Sequence, residues 1–281
     1  MRFDRNLRPP SWLEILFDDP GDVNDPVTNR IGHVSLKRCT IEDSSLKDVT
    51  SLANQQRDPL SLDLSRSNVT DSGLRYLNGL TNLESLDLRN TSVSDVGIKY
   101  LSGSTNLESL YLSDTSVSDS GLECLSGLTN LKSLYLENSK VTDVGLDHLS
   151  GLSDLTHLDL AGCKVTDGGL VHVKGLTCLE RLRVPKSSLT DYGLEHIEGL
   201  GSLLFLELHG PKVTDAGMKC VGRLTKVRTL VIQETRVTDA GLRHLHGLIN
   251  LERLILHSNK EMSNAGVDEL KQALPNLIHY Y

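Results

Sequence analysis

Apolar residues recur along the chain in a fixed order: apolar-x-x-apolar-x-apolar, a polar turn, the string V-[TS]-D-x-G-L, then leucines three apart. The whole pattern returns every 24 residues. Its clearest copy runs from Leu107 to Asn130, LESLYLSDTSVSDSGLECLSGLTN. Ten frames begin at Ile31, Pro59, Leu83, Leu107, Leu131, Leu155, Leu179, Leu203, Val227 and Leu251, with an insertion at Gln55 to Asp58 and a single extra residue near Met262. Within a frame the period-two stretch predicts a strand with Leu110 and Leu112 facing inward and Tyr111 outward. Leu122, Leu125 and Leu128 then give one apolar face to a short helix. Asp119 and its equivalents are expected to cap that helix at its positive end, and Gly127 and its equivalents to stop it in a left-handed turn. Neighbouring frames must stack in parallel about 4.8 Å apart, giving a sheet about 45 Å long. No frame could bury its own apolar faces, so each depends on the next.

A stacked array needs covers at both ends. Residues 1–30 are expected to form an N-terminal cap segment in which SWLEILF, with Trp12, Leu13, Ile15, Leu16 and Phe17, supplies the apolar cover. The repeats occupy 31–262. Residues 263–281 form a C-terminal cap: a helix from Ser263 to Leu274, stopped by Pro275, then an edge strand starting at Leu277 and Ile278 and ending in Tyr280 and Tyr281. The three parts make one structural domain.

The frame L-x-x-L-x-L-x-x-T-x-V-T-D-x-G-L-x-x-L-x-G-L-T-N resembles the ribonuclease-inhibitor-like branch of leucine-rich repeat proteins. More narrowly it is similar to the V-T-D-x-G-L repeats of bacterial families and of F-box leucine-rich proteins. The resemblance covers residues 31–281. The closing V-D-E-L-K-Q-A-L-P-N (Val267 to Asn276) and the opening P-x-W-L-x-x-L-F (Pro10 to Phe17) are similar to the ends of large bacterial families. It implies an α/β right-handed leucine-rich repeat solenoid, a curved horseshoe with its parallel sheet on the concave face and short helices on the convex face. It also implies an interaction protein, with no catalytic residues to carry over. PSWLEILF echoes the start of an F-box, which leaves open a substrate-recognition adaptor of a ubiquitin-ligase-like complex. Only 30 residues precede the first frame, however, and they hold Pro9, Pro10, Pro20 and Pro26, which leaves no room for the remaining helices of that module.

Charge changes this picture little. The formal net charge is −8, from 37 acidic and 29 basic residues. Nine of the acids are Asp43, Asp71, Asp95, Asp119, Asp143, Asp167, Asp191, Asp215 and Asp239, which all occupy the V-T-D column. The rest of the surface is close to neutral, so no nucleic-acid partner is expected. No apolar run approaches the roughly 20 residues of a membrane span. The five cysteines are odd in number and lack C-x-x-C spacing, which points to a reducing, cytoplasmic setting. The expected state is a monomer.

Stacking turns each frame position into a column where hidden chemistry would show. One helix column reads Tyr76, Tyr100, Cys124, His148, His172, His196, Cys220, His244. It offers imidazoles and thiols about 5 Å apart, and so a metal-binding or enzymatic alternative. Equal spacing along parallel lines does not converge on one ion, which favours a half-buried flank. The Asp column and the loop Asp18 to Asp25 lack the ligand order of calcium sites. After each strand, Cys39, Ser67, Thr91, Thr115, Ser139, Cys163, Ser187, Pro211, Thr235 and Asn259 read as small groups satisfying the turning backbone, with Cys39 and Cys163 as buried residues rather than nucleophiles. Phosphate-loop, zinc-protease and nucleophile-elbow motifs are missing. No metal, no cofactor and no catalysis are expected. Frame eight, with Pro211, Met218 and Gly222-Arg223, is expected to change the local curvature.

Function is therefore sought where frames differ. The outward strand columns read Ser35, Asp63, Asp87, Tyr111, Tyr135, Asp159, Arg183, Glu207, Val231, Ile255 and, two residues earlier, His33, Ser61, Ser85, Ser109, Ser133, His157, Arg181, Phe205, Thr229, Arg253. Tyrosine, arginine and phenylalanine combine contact area with directional polar groups and are enriched where protein partners bind. A protein partner is expected on Tyr111, Tyr135, Asp159, Arg181, Arg183, Phe205 and Glu207. The competing reading is that the tyrosines are good strand residues and the arginines pair with nearby acids.

Overall fold

The computed structural model describes residues 32–55, 59–184 and 189–280. Eleven strands form one sheet in strict chain order: β1 (His33–Ser35), β2 (Leu60–Asp63), β3 (Leu83–Asp87), β4 (Ser109–Tyr111), β5 (Ser133–Tyr135), β6 (His157–Asp159), β7 (Arg181–Arg183), β8 (Phe205–His209), β9 (Thr229–Gln233), β10 (Arg253–His257) and β11 (His279–Tyr280). Every neighbouring pair is parallel, and the register sets equivalent frame positions side by side, as in Tyr111 opposite Tyr135. Short helices alternate with the strands, completing the leucine-rich repeat solenoid. The expected cap in residues 1–30, the loop Asp18 to Asp25, Ser187 and Tyr281 lie outside the described residues.

Each apolar column is a line of the core. Leu110, Leu112, Leu122, Leu125 and Leu128 have no exposed surface, and their equivalents repeat this in the neighbouring frames. The inner column that includes Leu112 stays buried through Ile232 and becomes half-buried only at Leu256, the last frame.

The conserved-spacing aspartates do a different job from the one expected of them. The residue that caps each helix is the Thr or Ser one position earlier: Thr142 is extended, and its side chain accepts from Val144 N–H. Asp143 is the first helical residue, and its carboxylate points to the next frame. In the frame before, Asp119 accepts from Thr142 N–H at 2.7 Å and from Thr142 Oγ1 at 2.7 Å. The same two-pronged contact joins each of the nine aspartates to the cap residue of the following frame, from Asp43 with Thr70 to Asp239 with Ser263. The capping hydroxyl is thereby oriented: it donates backward to the aspartate and, at every one of these caps but Ser118, accepts from its own helix.

This contact also explains the glycine two residues after each aspartate from Asp71 to Asp239. A Cβ on Gly145 would stand 2.5 Å from Asp119 Oδ1, and one on Gly193 would stand 2.3 Å from Asp167 Oδ1. The glycine leaves room for the carboxylate of the frame behind it.

The left-handed turn is also displaced from its expected place. In the column of Gly127 only Gly79 has positive φ, at 79°. The turn that needs this conformation follows the strand instead, at Arg38, Arg66, Asn90, Asp114, Asn138, Gly162, Glu234 and Ser258. In frame eight Gly210 departs from that column, and its N–H bonds to Gln233 O at 3.3 Å while β8 runs on to His209. The irregularity around Pro211 is therefore a longer strand and a different exit turn.

The hydroxyl column behaves as expected. Thr91 Oγ1 donates to Leu88 O at 2.7 Å and Thr115 Oγ1 to Leu112 O at 2.6 Å. Cys163 lies in it buried, with its thiol donating to Leu136 O at 3.1 Å; Cys39 is only half-buried, because it sits in the first frame.

Candidate sheet-face site

The outward residues of β3 to β8 are brought together by one feature of the fold, the zero offset between neighbouring frames. Tyr111 and Tyr135 stack face to face, with ring centroids 4.7 Å apart and planes 8° from parallel. On the N-terminal side Arg89 continues the stack, its guanidinium 5.1 Å from the Tyr111 centroid. Arg89 is itself fixed by Asp87, with Nε 3.0 Å from both carboxylate oxygens and Nη2 2.5 Å from Oδ2. Burial pushes the Tyr135 hydroxyl above its usual pKa.

Toward the C-terminal side the face is a charge lattice. Arg183 Nη1 donates to Asp159 Oδ2 at 2.7 Å, and its Nε and Nη2 reach the two oxygens of Glu207 at 2.9 and 3.3 Å. Glu137 approaches the same guanidinium at 3.5 Å, and His209 Nε2 lies 2.9 Å from Glu207 Oε1. Hydrogen bonding from His209, opposed by burial and helped by Arg183, brings the Glu207 carboxyl down to about 2. Asp159 is only 5% exposed and Asp87 only 8%, so both need these cations.

Arg181 is arranged differently. Its guanidinium lies over the Phe205 ring, 3.7 Å from the centroid, and it has no carboxylate partner among the described residues. His157 is its neighbour across β6 and β7, with its ring pKa lowered first by burial.

The seven residues expected at the site thus fall into two groups. Asp159, Arg183 and Glu207 satisfy one another, and Tyr111, Tyr135, Arg181 and Phe205 present rings and one unneutralised guanidinium. Arg89, Glu137 and His209 stand outside the two outward columns that differ most between frames. A third, running Lys37, Ser65, Arg89, Ser113, Glu137, Ala161 and then His209, continues the same alternation and holds all three.

On the opposite face the His/Cys column is half-buried from Tyr76 to Cys220 and exposed at His244. Its members make separate local contacts: His172 with Asp147 at 3.0 Å, His196 edge-on to Tyr192, Cys124 with Ser120 O. Among the described residues no three of its groups converge on a point that would hold a metal, and none of their helices is long and apolar enough to cross a membrane.

Comparison with known proteins agrees with the geometry. The pattern described as Leucine rich repeat matches residues 105–165, and a second with the description Leucine Rich repeat matches 60–77 and 79–102. No curated protein matches the chain. Among solved structures, an internalin (inlF) from Listeria monocytogenes superposes with a TM-score of 0.50 at 21% identity, covering 89% of this chain and 86% of that one. Internalin C2 from the same organism gives 0.45 at 22% identity, over 86% and 84%. The first of these likenesses concerns the fold alone.

Proposed function

We propose that this leucine-rich repeat solenoid is a non-catalytic recognition protein that binds a protein partner on its concave sheet face. The observation that carries the reading is the contrast between columns. The leucine, aspartate and glycine columns repeat because frames must stack, whereas the outward columns change from serine and aspartate to stacked rings and arginines. Rigid aromatic anchors over a well-ordered floor are what a binding face needs. Tyr111, Tyr135, Arg181 and Phe205 are the contact residues in this reading; Asp159, Arg183 and Glu207 form the floor that fixes their height and spacing. Five unpaired cysteines, with Cys163 pushed up in pKa by burial, favour a reducing, cytoplasmic setting and a structural role for the thiols, and we take the chain to act as a monomer.

The test is capture of binding proteins by the full chain and by a triple variant, Tyr135→Ala with Arg181→Ala and Phe205→Ala. Arg183 is left in place because its loss would strand Asp159. The triple variant is expected to lose capture while keeping its thermal midpoint within a few degrees, since each side chain is removed from a face and not from the core. Undiminished capture would end this reading.

A further inference from the structure

The two outward columns differ in how their charge is balanced. In the middle column the acids of β3, β6 and β8 are all engaged: Asp87 by Arg89, Asp159 by Arg183, Glu207 by Arg183 and His209. The column beside it holds no acid in any frame, and toward its C-terminal end reads His157, Arg181, Phe205, Thr229, Arg253. Neither Arg181 nor Arg253 has a carboxylate partner among the described residues, although Arg183, Arg89, Arg223 and Arg243 all do. In a chain of net charge −8, a line of unneutralised cations on the face with the anchors is a local reversal of sign.

Arg181 is also preorganised. Held over the Phe205 ring at 3.7 Å, its guanidinium is covered on the ring side and makes no ion pair among the described residues, which leaves its N–H groups to take a carboxylate in a two-pronged contact. The ring beneath keeps water from one side and strengthens what the edge binds. Between Arg181 and Arg253 the column carries Phe205 and Thr229, flanked in the middle column by Val231, which is 5% exposed.

Resting on the sheet-face reading above, we propose that the partner offers an extended acidic segment running along this column, with one carboxylate on Arg181, a second on Arg253, and an apolar side chain between them over Phe205 and Val231. The spacing follows from the frames. β7 and β10 are three strands apart, about 14 Å at the usual separation, and an extended chain covers that in four residues at about 3.5 Å each. Residues i, i+2 and i+4 of such a segment face the same way, so the recognised pattern is acid-x-apolar-x-acid.

The probe is a phage-displayed library of random dodecapeptides panned on the full chain, followed by fluorescence anisotropy on the enriched peptide made synthetically. Enrichment of two acids four apart around an apolar residue is expected. Amide replacement of either acid should weaken binding, and Arg181→Glu should weaken it at least about tenfold. Arg181→Gln serves beside it, and both variants should melt with the parent protein. Basic or acid-free peptides, an empty selection, or affinity unchanged in both Arg181 variants would overturn the proposal. If an acid-free peptide is instead lost on Phe205→Ala or Tyr135→Ala, the sheet face remains the binding face and only the acidic partner falls. Insensitivity to all of these substitutions removes both readings. Self-association of the parent chain that Arg181→Glu abolishes in sedimentation would replace the peptide by a second copy.

Discussion

Arg183 looks in sequence like a candidate contact residue, yet its bonds identify it as a keystone of the sheet face. It bridges β6 and β8 through Asp159 and Glu207, and Asp159 has little other access to solvent or cation. Arg183→Ala should therefore cost stability, roughly 2–4 kcal/mol, read as a lowered midpoint in urea with unchanged slope. Arg181→Ala, two residues away on the same strand, should leave the midpoint almost unmoved. The same lattice gives a pH signature. Glu207 is held at about 2 in the folded protein, below its unfolded value near 4.3, so its contribution is fully present above about pH 5 and is lost as pH falls toward 2. A Glu207→Gln variant should lose stability at pH 7 and show a flatter fall between pH 5 and 2. Identical acid profiles for the two proteins would mean that Glu207 is not held as described. That an arginine here pairs with nearby acids was legible in the sequence as the competing reading, and Arg183 follows it; which acids it takes was not, because the choice depends on reach across frames and on a third column.

At the scale of the element, the frame's period and alternation were enough to place strands, helices and the inward leucines, since burial is set by side-chain direction alone. The V-T-D-x-G string was legible as a helix start but not in its division of labour. Capping is a local contact between Thr142 and Val144, whereas the aspartate's contact is made with a residue 23 positions on, and adjacency in sequence made one explanation seem sufficient for both. The glycine was unexplained for the same reason. Asparagines at the frame ends do similar cross-frame work: Asn106 and Asn130 each donate to the carbonyl of the preceding frame's threonine, Thr81 and Thr105, at 2.8 Å. A double-mutant cycle separates the roles. Asp119→Ala removes an acceptor from Thr142 N–H and should cost about 1–3 kcal/mol. Gly145→Ala alone should be destabilising because its Cβ meets Asp119 Oδ1, and much less so in the Asp119→Ala background. Additive costs would show that glycine and aspartate are not coupled.

Over the whole molecule, stability is a sum of neighbour contacts, and the described residues give each frame between the first and the last the same kind of contacts on both sides. Among the described residues β11 pairs with Arg253 and Leu254 of β10, and Ile255 to His257 have a neighbouring strand on the β9 side alone. Leu256, Met262 and Val267 are half-buried there, where their counterparts further in are fully covered, and with Asn259 and Ser263 they line an open hollow of about 530 Å³. The inner leucine column thus weakens at a defined point. Opening from that end exposes little additional apolar surface and breaks a single interface, whereas opening at β5 or β6 would break two. Native-state hydrogen exchange should therefore be graded: the amides of Ile255 and His257 should exchange through low-energy local openings, and those of Leu134 and Leu158 only near the global unfolding free energy. Because Arg253 stands on that same strand, fraying of β10 should also loosen the C-terminal end of the proposed binding column. Binding an acidic segment across Arg181 and Arg253 would then raise protection in β10 more than in β5. Equal protection along the whole array would show that the solenoid unfolds as one unit and that the terminal frame is no weaker than the rest.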